Sequence, residues 1–507
     1  MRPGSRPNII ASPMPTPARL SKSRLIAFRQ CPKRLWLELH RPELKDESGA
    51  VLRFRAGHEV GAVARRLVPE GRLIPHEHDL ESALRETQEA LRAEPHRPLF
   101  EPAFRHGDLL VRADVLLDPK GAATLVEVKA TGSVKEYHVE DAAIQSHVVK
   151  AAGIDLARTH IAHVNTQWVY PGGQAYAGLL TEVDVSAAIA PAMGEVPTWL
   201  VEAQAVAGGP EPVVAMGDQC KGPFECPFMG YCGGLAGPRP EYAVELLPGK
   251  DGKALARRLR EEGFEDLRDV PANRVPDCLL ARIHDATRTG KAHLDAGARR
   301  AMAAWPFPRY WLDFETIGFA VPIWAGTRPY QQIPFQWSCH VERASGELDH
   351  EHFLDLSGAD PRRACAEALL ATLGQHGAIV TYHAPFERKV LRELAQCFPD
   401  LASRLNALHD RVVDLEPVVK AHYYHPGMMG SFSIKAVLPT IVPQLDYATL
   451  GEVQDGDMAQ AAYLEAIRPG ISSARKARLE QDLLDYCRHD TLAMVEVARG
   501  LAGWRMK

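Results

Sequence analysis

The sequence predicts a multidomain α/β protein, and three observations carry this prediction. The chain has 507 residues, too many for one ordinary hydrophobic core, which favours two or three domains. Its composition, 46% hydrophobic and 24% charged, is that of a globular chain. In two regions, residues 21–240 and 305–507, segments with apolar residues at helical spacing alternate with segments in which every second residue is apolar, as in strands. Residues 241–304 between these regions are predicted to form a helical connector.

Each region has its own predicted elements. In the first region, the pattern predicts helices at Ser21–Leu39, Glu81–Glu94 and Asp141–Ala152, and strands at Asp108–Leu117, Thr124–Lys129 and His160–Tyr170. In the second region, it predicts strands at Tyr310–Glu315, Phe335–Val341, His350–Leu354 and Ala378–Tyr382, and helices at Phe386–Cys397 and Ser472–Gly500. Ser21 and Ser23 are the candidate N-caps of the first helix, and Pro95 ends the second helix.

Composition and charge exclude several classes of protein. Residues 1–20 hold five prolines and no apolar core, so we expect a flexible tail rather than a signal peptide. No apolar run reaches the roughly 18 residues of a membrane span, and we expect a cytoplasmic protein. The net charge of −5 gives no overall basic field, although a nucleic-acid enzyme needs only a basic groove. Nine cysteines without a secretion signal favour thiol or metal chemistry over disulfides.

A first group of charged residues lies on two neighbouring predicted strands. Glu127 and Lys129 are two apart on one strand and therefore share a face, and Asp114 lies on the strand before. Carboxylates beside an ammonium group suit metal-assisted phosphodiester hydrolysis. Taken alone, the Glu-Val-Lys tripeptide is more typical of an ordinary ion pair at a sheet surface.

Two further residues extend this pattern. His58 stands upstream and Gln145 on the following helix, and the order His, Asp, Glu-x-Lys, Gln resembles the RecB-like branch of the PD-(D/E)XK nucleases. The resemblance implies a restriction-endonuclease-like core. It also implies that His58, Asp114 and Glu127 bind Mg²⁺ or Mn²⁺, and that Lys129 and Gln145 act at the same site. Val149 stands where the family often has tyrosine.

Four cysteines form a separate pattern. Cys31 precedes this region's core, and Cys220, Cys226 and Cys232 follow it, with five residues between neighbours in the trio. Four thiolates can hold an iron–sulfur cluster or a tetrahedral zinc ion, although zinc sites usually use Cys-x-x-Cys pairs. The placement of one cysteine before the core and three after it is similar to that in the RecB-like nucleases with an iron–sulfur staple. That resemblance implies a [4Fe–4S] cluster, and zinc is the alternative.

A second group of acids lies in the second region. Asp313 and Glu315 are two apart on a predicted strand, Glu387 is in the first turn of a helix, and Tyr486 and Asp490 share a helix face. Four acids can bind two divalent ions, although Asp-x-Glu alone is also typical of a solvated sheet edge. His489 and Asp485 are lower-ranked alternative ligands.

This second group resembles the DEDD exonucleases of the RNase H-like fold, in the DnaQ-like group. The resemblance implies that Asp313, Glu315, Glu387 and Asp490 bind Mg²⁺ or Mn²⁺, with Glu387 replacing the usual Asp. It implies that Tyr486 orients the attacking water during 3′–5′ hydrolysis. The segment Ser431–Lys435 is similar to a Ser-Leu-Lys segment of this group.

Together the two regions resemble an uncharacterised bacterial family that combines RecB-like nuclease and DEDD domains. The prediction is a metal-dependent nuclease with two catalytic centres that acts on DNA, single-stranded or with free ends, in repair or defence. The alternatives are an RNA-directed exonuclease, a nucleic-acid-binding scaffold with degenerate nuclease domains, and a zinc-containing interaction protein. The chain lacks a G-x-x-x-x-G-K-[ST] motif, so a helicase or translocase partner would have to supply any ATP-driven motor.

Overall fold

The computed structural model describes residues 19–46, 51–76, 79–235, 237, 240–276 and 278–503. Residues 1–18 of the predicted tail lie outside the described residues. The chain divides into two compact units, unit 1 with Met1–Gly237 and Phe319–Tyr330, and unit 2 with Pro238–Gly318 and Gln331–Lys507. The prediction of a multidomain α/β protein is confirmed. Residues 241–304, predicted as a connector, cluster with unit 2, and Phe319–Tyr330 cluster with unit 1 rather than with the region around them in sequence.

Unit 1 contains two sheets. The six-stranded sheet has the order β2-β3-β6-β7-β8-β9, and the three-stranded sheet has the order β1-β5-β4. The strands of this unit are β1 (Leu20–Ser21), β2 (Arg72–Leu73), β3 (Leu99–Phe100), β4 (Ala103–His106), β5 (Leu109–Arg112), β6 (Val115–Leu117), β7 (Ala123–Lys129), β8 (Leu156–Val164) and β9 (Leu180–Asp184). Strands β7 and β8 are parallel, and helix α5 connects them along the chain.

Helices cover the core of unit 1. They are α1 (Lys22–Gln30), α2 (Pro32–His40), α3 (Val51–Leu67), α4 (Leu80–Ala93), α5 (Glu136–Ala151), α6 (Ala190–Gly208) and α7 (Met229–Leu235). The Ser21 hydroxyl accepts a hydrogen bond from the backbone N–H of Arg24, which confirms the predicted N-cap.

Four predicted elements of unit 1 were wrong in extent, and one of them, the helix predicted over Asp141–Ala152, begins five residues earlier, at Glu136. The helix predicted over Ser21–Leu39 is two helices, because Pro32 has no N–H to donate and its ring excludes the carbonyl of the preceding turn. The strand predicted over Asp108–Leu117 is broken after Arg112, and its two parts belong to different sheets. The strand predicted over His160–Tyr170 ends at Val164. The break after Arg112 brings Asp114 next to β7, as described below.

Unit 2 is built around a mixed five-stranded sheet with the order β13-β12-β11-β14-β15. Its strands are β11 (Arg309–Ile317), β12 (Ile333–Glu342), β13 (Leu348–Leu354), β14 (Ala378–Thr381) and β15 (Val412–Asp414). Strands β11, β12 and β13 are antiparallel neighbours, whereas β14 is parallel to both β11 and β15. A small ribbon pairs β10 (His293–Leu294) with β16 (Tyr423–Tyr424).

The helices of unit 2 surround this sheet. They are α8 (Gly249–Glu261), α9 (Leu279–Thr289), α10 (Gly297–Ala303), α11 (Arg362–Thr372), α12 (Pro385–Cys397), α13 (Ala402–His409), α14 (Glu416–His422), α15 (Ile434–Ile441), α16 (Gly456–Ala466) and α17 (Ser473–Leu501). The residues Tyr310, Leu312 and Phe314 of β11 face the hydrophobic core. Because side chains alternate along a strand, the acids Asp313 and Glu315 face the other side. None of the helices in the described parts of the chain combines the length and apolar character that a membrane span requires.

Candidate metal centres

The first group of charged residues lines a cleft of about 760 Å³ in unit 1. His58 on α3, Asp114 at the break before β6, and Glu127 and Lys129 on β7 all border this cleft. Gln145 on α5 donates a hydrogen bond from its amide to the carboxylate of Glu127. The structure therefore brings the five residues predicted from the sequence to one place.

Two lysines, rather than one, contact Glu127. The Nζ atom of Lys129 lies 2.6 Å from Glu127 Oε1, and the Nζ atom of Lys22 lies 3.1 Å from the same oxygen. Both lysines also contact Asp141 of α5, with Lys22 at 3.1 Å. Burial alone raises the pKa of Glu127, but the positive charges of Lys129 and Lys22 outweigh it and hold that pKa below its usual range. Glu127 is thus an anion fixed between two cations.

Asp114 has the opposite electrostatic character. Its Oδ2 atom accepts a hydrogen bond of 2.6 Å from the backbone N–H of Val128. Burial, with the nearby charge of Glu127, raises the pKa of Asp114 to about 8. The pKa of Asp114 is thus raised and that of Glu127 lowered. Two neighbouring acids with pKa values shifted in opposite directions are typical of functional sites.

The donors of this cleft suit a divalent cation. Carboxylate oxygens and imidazole are the ligands that Mg²⁺ and Mn²⁺ accept, and a cation would offset the cost of ionising buried Asp114. In the described residues, the ligand atoms of His58, Asp114 and Glu127 are not all within 4.8 Å of one another. These residues would hold a cation with help from solvent or a phosphate rather than enclose it.

The four cysteines predicted to bind a metal line one small cavity in unit 1. All four are free thiols, and Leu37 and Phe228 form an apolar layer beside them. Burial raises the pKa values of Cys226 and Cys232, and Cys31 and Cys220 are close enough to add to the rise. Within the described residues no three of these sulfur atoms lie within 4.8 Å of one another. The four thiols could hold either an iron–sulfur cluster or a zinc ion.

The second acidic group is compact. One carboxylate oxygen from each of Asp313, Glu315 and Asp490 lies within 4.8 Å of the others, and these three form the one such group of possible metal ligands in the described residues. Asp313 and Glu315 come from β11, and Asp490 comes from α17. The pairing of β11 with β12 shifts directly after Glu315, and such irregularities often lie next to active sites because they redirect a side chain.

Burial makes this group electrostatically costly. It raises the pKa values of Asp313 and Glu315 well above their ordinary values, and the neighbouring carboxylates raise them further. Burial also raises the pKa of Asp490 to about 6, although the Tyr447 hydroxyl and the Lys435 ammonium group oppose the rise. Tyr447 donates a hydrogen bond of 2.5 Å to Asp490. Divalent cations would satisfy these oxygens, so the residues fit a metal centre.

Glu387 and Tyr486 lie beside this triad. Glu387, in the first turn of α12, is 2% exposed, and its Oε2 atom has no hydrogen-bond partner in the described structure. Burial raises the pKa of Glu387 well above its usual value, and the charge of Asp313 adds to the rise. Tyr486, one turn before Asp490 on α17, is 4% exposed and is close enough to Asp490 to lower that residue's pKa. Both predicted residues therefore reach the same centre, although Glu387 is not within the 4.8 Å group.

Sequence comparison reaches only part of the chain, most of it in unit 2. Residues 310–433 match a family described as a domain of unknown function (DUF2779). The matched segment includes Asp313, Glu315 and Glu387 but ends before Tyr486 and Asp490. It covers less than half of the chain and identifies no nuclease family. No curated protein matches the chain at a significant level.

Several residues at these centres were not predicted. Lys22 and Asp141 complete the first group, and Tyr447 and Cys487 contact the second, with Cys487 Sγ 3.9 Å from Asp313 Oδ2. Lys22 opens the first helix after its N-cap, but nothing in its local pattern indicates a partner more than a hundred residues away. The lower-ranked ligands differ from each other: Asp485 is exposed and accepts a hydrogen bond from Gln481, whereas the His489 ring packs 4.4 Å from the Tyr447 ring.

Proposed function

We propose that this protein is a metal-dependent nuclease with two catalytic centres that hydrolyses phosphodiester bonds of DNA. In this proposal unit 1 is a restriction-endonuclease-like PD-(D/E)XK domain of the RecB-like branch, and unit 2 is an RNase H-like DEDD exonuclease domain. The observation that carries the proposal is the partly buried group of Asp313, Glu315 and Asp490, whose oxygens lie within 4.8 Å of one another. Three acids this close together and shielded from solvent destabilise the fold unless a cation binds them, which favours a catalytic role over a structural one.

In the second centre, each residue has a role that its surroundings support. Mg²⁺ or Mn²⁺ held by Asp313, Glu315, Asp490 and Glu387 would supply positive charge to the attacking and leaving oxygens. Tyr447 fixes the orientation of the Asp490 carboxylate by its hydrogen bond. The Lys435 Nζ atom lies 5.3 Å from the centre of the Tyr486 ring and restricts its position. The Tyr486 hydroxyl then orients the attacking water.

In the first centre, Lys129 is the residue that contacts phosphate and water. Its ammonium group is already held by Glu127 and Asp141, and these two acids, despite burial, raise the pKa of Lys129. Lys129 therefore remains protonated during turnover and acts by charge rather than as a base. Gln145 and Lys22 hold Glu127 in place from the other sides.

The four-cysteine group supports a [4Fe–4S] cluster with a structural role in this proposal. It would connect the start of α2 to α7 and the segment before it, and so close a loop of about two hundred residues of unit 1.

A labelled-strand assay tests the nuclease proposal. A 5′-labelled single strand with Mg²⁺ should shorten in single-nucleotide steps from its 3′ end, and Asp313→Ala should abolish this ladder while Lys129→Ala preserves it. Internal cleavage of double-stranded DNA should show the reverse dependence. The same substrates made of RNA test the alternative substrate class. Absence of hydrolysis of every substrate with both Mg²⁺ and Mn²⁺ would contradict the proposal and favour a binding scaffold.

A further inference from the structure

A second cleft lies in unit 2, on the same face of the sheet as the acidic centre. It has a volume of about 250 Å³, and its lining includes Arg309 and Trp311 of β11 and Arg499 near the end of α17. Arg309 precedes Asp313 by four residues, so the two side chains are about 13 Å apart along the strand. The cleft is therefore separate from the carboxylates.

The lining of this cleft is basic. Arg299, Arg309, Arg343 and Arg499 contribute to it, against one acid, Glu342. Arg343 is paired with Asp349 at 2.7 Å and with Glu347 at 3.4 Å, and Arg499 with Glu496 at 3.0 Å. Arg299 is exposed on α10, and no ion pair involving it occurs in the described part of the chain.

Glu342 forms no hydrogen bond with Arg309 or Arg499, the two arginines beside it. It lies 3.9 Å from Arg309 Nη1 and 3.7 Å from Arg499 Nε, distances too long for hydrogen bonds. Arg499 Nε and the indole N–H of Trp311, a residue 1% exposed, have no hydrogen-bond partner in the described structure, and neither has Glu342 Oε2. Buried polar atoms of this kind usually have a partner, so two donors and one acceptor beside four arginines point to a polar ligand that carries an anionic group.

An aromatic surface completes the cleft. Phe307 is 41% exposed, and the guanidinium of Arg309 lies 4.1 Å from the centre of its ring. The backbone carbonyls of Met302 and Trp305 accept hydrogen bonds from Arg309 at 2.9 and 3.3 Å and hold this stacked pair in place. An exposed ring beside arginines is the arrangement that binds a nucleobase by stacking and its phosphate by charge.

From these observations we propose that the cleft between α10, β11 and the end of α17 binds one nucleotide, with its base on Phe307 and its phosphate near Arg299 and Arg499. The cleft volume is close to the lower limit of about 300 Å³ for ligand sites, which suits a single nucleotide rather than a duplex. The nucleotide is either free or part of a single strand, and both present the same base and phosphate.

The test compares two neighbouring arginines of one helix. Arg299 lines the cleft, whereas Arg300, also exposed on α10, does not. Binding of AMP, of inorganic phosphate and of a fluorescent five-nucleotide oligothymidylate is measured in EDTA, so that no strand is cleaved. Arg299→Glu should weaken binding of AMP or of the oligonucleotide about tenfold, because phosphate contacts dominate such affinities, and Arg300→Glu should weaken it less than twofold. Phe307→Ala should weaken binding of the nucleotide ligand but not of phosphate.

The measurements distinguish a free nucleotide from a nucleotide in a strand, and both of these from failure of the proposal. Binding of AMP that depends on Arg299 supports a free nucleotide, and binding that depends on Arg299 only for the oligonucleotide supports a strand. Two results would overturn the proposal. The first is that Arg299→Glu and Arg300→Glu weaken the binding of AMP and of the oligonucleotide equally. The second is that AMP binds no more tightly than phosphate and the oligonucleotide does not bind. Because cleavage is not measured, this result is independent of whether the acidic centre is a nuclease.

Discussion

At the scale of single residues, the acidic centre lowers the stability of the metal-free fold. Asp313, Glu315 and Asp490 all have raised pKa values, which means that their ionised forms are less stable in the folded chain than in the unfolded one. A carboxyl group whose pKa is raised on folding costs no stability below its unfolded pKa. The cost grows as the pH rises from the unfolded to the folded pKa and is constant above the folded value. The centre should therefore destabilise the metal-free protein at neutral and alkaline pH.

Asp313→Asn should stabilise the metal-free protein and abolish its activity. In EDTA, we expect a free energy of unfolding higher by about 1 kcal/mol or more, or about 2–4 °C in the melting temperature of unit 2. The gain should vanish near pH 4 and grow towards pH 8. Mg²⁺ should stabilise the wild type more than the variant. Asp485→Asn, at an exposed position of the same helix α17, is the control and should change neither property. A destabilised Asp313→Asn variant would contradict this account.

A second residue-scale prediction concerns Lys22. Lys22→Met removes one of two cations that hold Glu127, so internal cleavage by the first centre should fall about tenfold, less than with Lys129→Ala. Initial rates on a plasmid substrate measure this, with the exposed Lys150→Met of α5 as control. Full activity in Lys22→Met would show that the contact seen here has no catalytic consequence.

At the scale of secondary-structure elements, one side chain fixes the start of α12. Asp414, at the end of β15, accepts hydrogen bonds of 3.0 Å from the backbone N–H groups of His383, Ala384 and Glu416. Two of these donors, His383 and Ala384, lie in the turn from β14 into α12, and Glu387 lies in the first helical turn that follows. The position of Glu387 at the acidic centre thus depends on Asp414, a residue that is not part of that centre.

Asp414→Ala should destabilise unit 2 by about 2–3 kcal/mol, because three backbone donors lose a charged acceptor. Denaturant unfolding measures the loss. Asp410→Ala is a matched control, since the Asp410 side chain is 80% exposed and, in the described residues, forms an ion pair with the neighbouring His409 alone. The proposed exonuclease rate should fall in Asp414→Ala even under conditions where the variant is folded, since Glu387 is no longer held. Equal stability of the two variants would contradict this role.

At the scale of the whole molecule, two compact units each contain a group of acids. The proposed cluster would stabilise unit 1 alone, because Cys31, Cys220, Cys226 and Cys232 all belong to that unit. Damage to the cluster should therefore separate the two activities.

Freshly purified protein should be brown and contain about four irons per chain. Cys226→Ser should lose the colour, lower the melting temperature of unit 1 and leave the 3′–5′ ladder of unit 2 intact. Cys397→Ser, in unit 2, should keep both colour and iron. Colourless wild-type protein with stoichiometric zinc after anaerobic purification would contradict the cluster.

The sequence by itself determined the elements and the shared faces of the acids. Asp313 and Glu315 lie on one side of a strand because side chains alternate, and Tyr486 and Asp490 share a helix face because a turn has 3.6 residues. Even the break at Pro32, which was not predicted, follows from a local rule about proline.

Only the tertiary structure decided which distant residues complete each group. Lys22 meets Asp141, and Tyr447 meets Asp490, through packing between elements far apart in sequence. The same holds for Phe319–Tyr330, which lies between two strands of unit 2 in sequence but clusters with unit 1. The spacing of apolar and polar residues along a helix or strand indicates which face of that element a side chain lies on. The partner that it meets depends on how all the elements pack, because burial of apolar surface is not directional and leaves no local mark in the sequence.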